Sequence, residues 1–137
     1  MPDAAIDLLR GVPLFSGLEG RSLKQLADSM SERRFAPGHG MTEEGEQGYG
    51  FFVIGQGEAE VTVDGERREV LTAGDSFGEL ALLTGRERLA TVTAKTDLRC
   101  FVLMGWDFQR IVRENADVAW RLLQSVACLL EDERRTR

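Results

Sequence analysis

The sequence predicts a mainly β fold with flanking helices, most simply an antiparallel β-barrel of the jelly-roll, or double-stranded β-helix, type. Apolar residues recur at helical spacing over 4–32 and again after Gly105. Between Arg33 and Leu103, short apolar or alternating runs are separated by Gly, Asp and Pro, which is typical of antiparallel strands. The length of 137 residues suits a single domain with its own core.

We therefore predict one domain over residues 1–137, with three parts. N-terminal helices occupy 1–32, the β-barrel 33–103 and C-terminal helices 104–137. The barrel contains a short segment, 77–92, that carries the recognisable chemistry.

Two short helices are predicted before the barrel, at 4–10 and 20–32. Ser22 is a candidate N-cap for the second, because a hydroxyl can accept a hydrogen bond from the first free N–H groups. The apolar residues of that helix recur at helical spacing: Leu23, Leu26, Ala27 and Met30.

The central strands are predicted from alternation of apolar and polar residues. Before the Asp64-Gly65 pair, Ala59, Val61 and Val63 alternate with polar neighbours, which predicts a strand with one buried face. Asp-Gly tolerates positive φ, so a hairpin turn is expected there. Similar alternation over 89–94, and of Leu98, Cys100 and Val102 with Arg99 and Phe101, predicts two further strands.

After the barrel, a short helix is predicted from the spacing of Trp106, Phe108, Ile111 and Val112. Asn115 or Asp117 is a candidate cap for the longer helix that follows. This helix, 117–135, has two apolar stripes: Val118, Leu122 and Leu129, and Ala119, Leu123, Val126 and Leu130.

One stripe suffices to pack that helix on the barrel. The second predicts another partner, most simply the same helix in a second copy, giving a homodimer through 117–135. The alternative is a single broad stripe that is deeply buried in one chain.

Composition and charge exclude several classes of function. The formal net charge of −6 repels a nucleic-acid backbone, so no direct nucleic-acid binding is expected. No apolar run reaches the ~20 residues of a membrane helix, and the N-terminal residues do not predict a signal peptide. Cys100 and Cys128 lie apart in apolar surroundings and are expected to be reduced, buried thiols, which favours a cytoplasmic protein.

Enzymatic function is not predicted. The single histidine, His39, lies in a Pro-Gly-His-Gly turn, so neither a nucleophile–base pair nor a metal site of several imidazoles can be assembled. The many glycines between 38 and 57 punctuate strands rather than form a dinucleotide fingerprint. No catalytic residue, metal or cofactor is expected.

The segment 77–92 predicts a site for a sugar phosphate. Gly78 permits close approach of backbone to a ligand, and the free N–H groups of the turn after it point toward negative charge. Arg88 presents a guanidinium fork suited to a phosphate. Glu79 would repel a lone phosphate, so the ligand must also carry hydroxyl donors.

The run from Gly74 to Leu83, with Arg88-Leu89-Ala90-Thr91-Val92, resembles the phosphate-binding cassette of cyclic nucleotide-binding domains, as found in the catabolite activator protein and protein kinase A regulatory subunits. The resemblance covers nearly the whole chain. Further motifs match in order: Pro13-Leu14-Phe15, Phe35-Ala36-Pro37-Gly38, Glu44-Gly45-Glu46 and Phe51-Phe52-Val53-Ile54-Gly55-Gln56-Gly57.

The resemblance implies a role for each matching residue. Arg88, rather than Arg86, would bind the cyclic phosphate, and Glu79 would accept a hydrogen bond from the ribose 2′-hydroxyl. The ligand-binding residues it implies, through backbone N–H groups or packing on the purine, also include Gly78, Leu80, Ala81, Leu89 and Leu71.

Two residues depart from the family pattern. Glu87 stands where proline often precedes the arginine, which is expected either to soften the loop or to offset part of the arginine's charge. Leu89 lacks the hydroxyl that favours guanine, so cyclic AMP is expected as the ligand ahead of cyclic GMP, at an affinity lowered at most about tenfold.

The resemblance therefore predicts a regulatory domain that binds a cyclic nucleotide and transmits occupancy through its C-terminal helices. Two alternatives stay open. One is a dimerising interaction module that binds no nucleotide. The other is the sensor part of a transcription regulator or other larger protein with a downstream effector domain.

Overall fold

The computed structural model describes residues 2–136, except the side chains of Pro2, Asp3 and Leu80. Its helices are α1 (Pro2–Arg10), α2 (Gly20–Asp28), α3 (Glu79–Thr84), α4 (Gly105–Glu114) and α5 (Ala116–Arg135), with a 3-10 turn at Pro13–Phe15. Its strands are β1 (Ser31–Phe35), β2 (Gly40–Thr42), β3 (Gly50–Gln56), β4 (Ala59–Val63), β5 (Glu66–Leu71), β6 (Ser76–Phe77), β7 (Thr91–Ala94) and β8 (Leu98–Met104).

The strands form two four-stranded antiparallel sheets, ordered β1-β8-β3-β6 and β2-β7-β4-β5. Helices flank them at both ends of the chain. The predicted class, antiparallel β with flanking α, is confirmed at this level. The two sheets are separate, so closure into a barrel stays unconfirmed.

The core has two parts, one on each face of the β1-β8-β3-β6 sheet. Between the two sheets lie Phe52, Ile54, Cys100 and Val102, together with apolar residues of β4, β5 and β7. On the other face, a second cluster joins the helices to β3 and β8: it includes Phe15, Phe51, Val53, Phe101, Leu103, Phe108 and Ile111.

Burial on both faces overturns the simple alternation predicted for the last strand. Phe101, expected on the outward face opposite Cys100, is 3% exposed because the helices cover that face. Phe15 of the 3-10 turn packs edge-on against Phe51 of β3, with ring centroids 5.5 Å apart. The N-terminal segment is therefore part of the domain core.

Two predictions about the N-terminal helices are wrong in detail. α2 ends at Asp28 rather than at residue 32, because residues from Ser31 onward pair with β8. Its N-cap is Glu19, and Ser22 lies inside the helix. The first helix, predicted at 4–10, is observed as Pro2–Arg10.

The hairpin predicted at Asp64-Gly65 is confirmed. Both residues have positive φ, 53° and 81°, and they join β4 to β5. A register shift between Val61 and Thr62 places one extra residue, Arg68, on β5. Such bulges re-aim the side chains beside them.

α5 is buried over its first two turns only. Val118 and Leu122 are buried, whereas Leu129 of the same predicted stripe is exposed. Arg121 fixes this end, because its guanidinium donates to Gly17 O at 3.1 Å and pairs with Glu19 at 3.1 Å.

Asn115 occupies the N-cap position of α5, as one of the two predicted alternatives. Its side chain makes no cap hydrogen bond there. The amide instead donates to Ile111 O at 2.7 Å and thereby closes the end of α4.

The two cysteines differ. Cys100 is buried, as predicted, and burial raises the pKa of its thiol from 9.0 to about 11. Cys128 is exposed on α5, so its predicted burial is wrong. His39 is exposed in the turn before β2, as predicted. Over residues 2–136, no helix combines the length and the apolar character that crossing a membrane requires.

Candidate functional site

A cavity of about 480 Å³ lies beside the β2-β7-β4-β5 sheet. One wall consists of side chains from that sheet: Thr42, Val61, Glu69, Leu71 and Val92. The other wall is formed by residues between Ser76 and Ala90, which include α3 and the loop after it. The segment that was singled out in the sequence is therefore one wall of a cavity.

Backbone pairing positions Arg88 in that wall. Its N–H donates to Glu46 O at 2.8 Å, and its carbonyl accepts from Gly45 N at 2.9 Å. Gln47 bridges Glu87 in the same antiparallel sense and donates its side-chain amide to Gly85 O at 3.1 Å. The loop that follows β2 thus holds the arginine segment along its length.

Glycines form the bed on which the Arg88 side chain lies. The guanidinium Nη2 donates to Gly50 O, and a Cβ added at Gly48 would overlap the side chain. Gly78 has φ +89°, and a Cβ there would lie 2.5 Å from Arg88 Nη1 and 2.7 Å from Gly50 O. The Phe52 ring lies beneath, with its centroid 6.0 Å from Arg88 Cζ.

Within the part of the chain that the structure describes, the Arg88 guanidinium has no carboxylate partner. Other arginines among residues 2–136 form ion pairs with carboxylates, whereas Arg88 forms none there. The one side-chain hydrogen bond of Arg88 within these residues goes to a neutral carbonyl. Burial lowers the pKa of this guanidinium below its usual value. A partly desolvated, unneutralised cation facing a cavity favours an anionic ligand.

Gly78 also starts α3. It is the N-cap in the left-handed region, and Glu79 is the first helical residue. The N–H of Ala81 already donates to Gly78 O at 3.1 Å, so it is occupied in this structure. The predicted use of that amide for a ligand requires the turn to open.

The structure brings together the residues predicted for the site. Six of the seven line the same cavity: Leu71, Gly78, Glu79, Ala81, Arg88 and Leu89. The seventh, Leu80, lies outside the side chains that the structure describes. Leu89 is 82% exposed at the cavity wall, where its side chain is available to cover a ligand.

Sequence reasoning missed several contributors. Gly48 and Gly50 were interpreted as strand punctuation, yet Gly48 makes room for the Arg88 side chain and the Gly50 carbonyl accepts its hydrogen bond; their position just before the Phe-Phe pair of β3 was the only signal. Val61 was predicted only as a strand residue, and Val92 as the end of the cassette without a ligand role, yet both line the cavity. Glu69 was not considered at all.

The arrangement can hold a ligand with an anionic and an apolar end. Charged side chains on the wall are two guanidiniums, Arg86 and Arg88, and three carboxylates, Glu69, Glu79 and Glu87. The rest of the lining combines leucines, valines, Phe77 and small residues with the hydroxyls of Thr42, Ser76 and Thr84. A phosphate on Arg88, hydroxyls on Glu79 and an apolar ring on the sheet fit this pattern.

Comparison with protein families agrees with this geometry. Residues 32–115 match the model of the cyclic nucleotide-binding domain. The chain belongs to the cyclic nucleotide-binding domain family. The relatives that the chain matches are regulatory subunits and nucleotide-binding domains rather than enzymes, as the sequence predicted.

A curated relative is the cAMP-dependent protein kinase regulatory subunit of Yarrowia lipolytica, 43% identical over 106 residues. The match covers 76% of this chain and 28% of the relative, so the chain spans about a quarter of that protein's length.

Solved structures share the fold. The N-terminal domain of a transcriptional regulator from Streptomyces coelicolor has a TM-score of 0.87 at 30% identity, covering 95% of this chain and 94% of that one. The regulatory domain of Toxoplasma gondii PKA, co-crystallised with cAMP, has a TM-score of 0.73 at 25% identity, covering 99% and 50%.

Proposed function

We propose that this cyclic nucleotide-binding domain binds cyclic AMP in the cavity beside the β2-β7-β4-β5 sheet. The observation that carries the proposal is the Arg88 guanidinium, partly buried at the cavity and without a carboxylate partner among residues 2–136. The cyclic phosphate would be its counterion, bound through two parallel hydrogen bonds.

The other contacts follow from the lining of the cavity. Glu79 would accept a hydrogen bond from the ribose 2′-hydroxyl, and the backbone of Gly78 to Ala81 would lie against ribose and phosphate. Leu71 would pack on the purine, with Leu89 covering it from the exposed side. Cyclic GMP would bind less tightly, because Leu89 has no hydroxyl to offer guanine.

Occupancy would reach the C-terminal helices through the core. Leu82 of α3 lies in the same buried cluster as Phe108 and Ile111 of α4 and Leu122 of α5. A shift of α3 toward bound phosphate would therefore change the packing of α4 and α5. The free energy that can drive this shift is limited to the difference in the ligand's affinity for the two arrangements.

We also propose that α5 pairs with a second copy of itself. The stripe of Leu123, Val126 and Leu130 is exposed, and Trp120 and Leu129 beside it are exposed too. One long helix that leaves this much apolar surface in water needs a partner. A downstream effector domain in a longer, cytoplasmic protein is the alternative occupant.

Calorimetric titration tests the main proposal. Cyclic AMP is expected to bind at one site per chain, and cyclic GMP more weakly. Absence of heat and of any thermal shift with both nucleotides at millimolar concentration would overturn it. The domain would then be a dimerising module that has the cassette but binds no nucleotide.

A further inference from the structure

Glu69 occupies a defined place in the cavity. It lies on β5 directly opposite Val61 of β4; Val61 in turn lies opposite Val92 of β7, and Val92 opposite Thr42 of β2. All four residues line the cavity. Because directly paired residues point to the same face of a sheet, strand register aims the Glu69 side chain into the cavity.

This row of residues runs across the sheet from the phosphate end to the opposite edge. The Arg88 backbone pairs with the loop that follows β2, at one edge. Glu69 lies on β5, at the other edge, and β2 and β5 are three strand spacings, or ~14 Å, apart. A ligand anchored by its phosphate at Arg88 therefore reaches Glu69 with its base rather than with its ribose.

The carboxylate of Glu69 is available to a ligand. Among the residues that the structure describes, the hydrogen bonds and ion pairs of β5 involve Glu66 and Arg68 but not the Glu69 side chain. Its neighbours along the row, Val61 and Val92, are apolar, so it is the hydrogen-bonding group at that end of the row. An ionised carboxylate accepts hydrogen bonds and donates none.

We propose that Glu69 determines base specificity by accepting a hydrogen bond from the exocyclic C6 amine of adenine. This inference rests on the proposed binding of cyclic AMP and names the group that recognises the base. The amine is a donor, which matches a carboxylate. A purine with only hydrogen at C6 offers the carboxylate no such donor.

The test compares cyclic AMP with the 3′,5′-cyclic phosphate of purine riboside, which differs only by lacking the C6 amine. Calorimetry gives both dissociation constants for the unmodified chain and for Glu69→Ala. The unmodified chain is expected to bind cyclic AMP about tenfold more tightly than the analogue, and Glu69→Ala to bind the two within about twofold.

Glu60→Ala is the matched control. It removes the same charge from the same sheet, but Glu60 lies one residue from Val61 and so projects from the opposite face. It is expected to keep the tenfold preference. The inference is overturned if Glu69→Ala keeps the preference of the unmodified chain, or if that chain shows none. Failure of the unmodified chain to bind either nucleotide overturns the proposed function itself, and this inference with it.

Discussion

At the scale of single residues, the site depends on making room for one guanidinium. Arg88 lies where side chains are missing at Gly48 and Gly78, and it contacts the carbonyl of Gly50 and the ring of Phe52. None of these groups carries a negative charge. The free-energy cost of partly removing this cation from water is therefore not offset by these groups, and an anionic ligand could offset it.

Gly78→Ala is expected to weaken both the fold and nucleotide binding. The new Cβ would meet Arg88 Nη1 and Gly50 O at 2.5 and 2.7 Å, on top of the strain of a φ of +89°. Gly74→Ala is a matched control, because Gly74 has φ +94° and nothing within 4 Å of an added Cβ.

Both variants should lose ~1 kcal/mol or more in the free energy of unfolding through backbone strain, measured by urea denaturation. Gly78→Ala alone should lose further stability and at least tenfold in affinity for cyclic AMP by calorimetry. Equal affinities in the two variants would show that Gly78 does not position Arg88.

Cys100 makes stability fall at alkaline pH. The folded chain keeps the thiol protonated up to about pH 11, whereas the unfolded chain releases the proton above its ordinary pKa of 9.0. The stabilisation is complete below pH 9 and is lost as pH rises from 9 to 11.

Urea denaturation at intervals from pH 8 to 11 measures this loss. Cys100→Ala should be less stable than the unmodified chain below pH 9 and should show a shallower decline across that window, because no thiol titrates at this position. An identical decline in the two chains would exclude Cys100 as its source.

At the scale of elements, alternation and helical spacing predicted most of the strands and helices. These patterns failed where tertiary contacts determine the burial of a strand or the end of a helix. β8 is apolar on both faces because helices cover the side that the pattern assigned to solvent. α2 ends at Asp28 because the residues that follow it, Ser31–Phe35, pair with β8, about 67 residues further along the chain. A local sequence pattern does not reveal such a distant pairing.

α5 is expected to associate through its exposed stripe. The double substitution Leu123→Glu, Leu130→Glu places charges at two residues that are 58% and 50% exposed in the single chain. Its fold should be intact, because the buried contacts of α5 are made by Val118 and Leu122. Light scattering after gel filtration should show a dimer for the unmodified chain and a monomer for the variant.

Gln124→Glu and Arg113→Glu together form the control, since both residues are exposed and outside the stripe. This control should remain dimeric. A monomeric unmodified chain at all concentrations would contradict self-association and favour a different partner domain on this face.

At the scale of the whole molecule, the site joins parts of the chain that are distant in sequence. The cassette was predictable because Gly78, Glu79 and Arg88 lie within a few residues of one another. The glycine bed came from residues 48–50 and the sheet wall from β2, β4 and β5. Those contacts depend on strand register, which sequence spacing alone does not define.

The same scale shows how a ligand could act on the whole domain. α3 belongs to the cavity wall, and Leu82 places it in the cluster that holds α4 and the start of α5. α3 therefore connects the cavity wall with the buried cluster that holds the C-terminal helices. A ligand that binds only the folded chain must stabilise all of it.

Thermal unfolding with and without cyclic AMP tests the central claim most directly. At 100 times its dissociation constant, the nucleotide should add ~2.7 kcal/mol, which raises Tm by roughly 10 °C in a domain of this size. Arg88→Ala should have a Tm within a few degrees of the unmodified chain and show no shift with nucleotide. Arg68→Ala, which removes an exposed β5 arginine that does not line the cavity, should shift like the unmodified chain. An equal shift in the Arg88→Ala variant would contradict the assignment of Arg88 as the phosphate-binding residue.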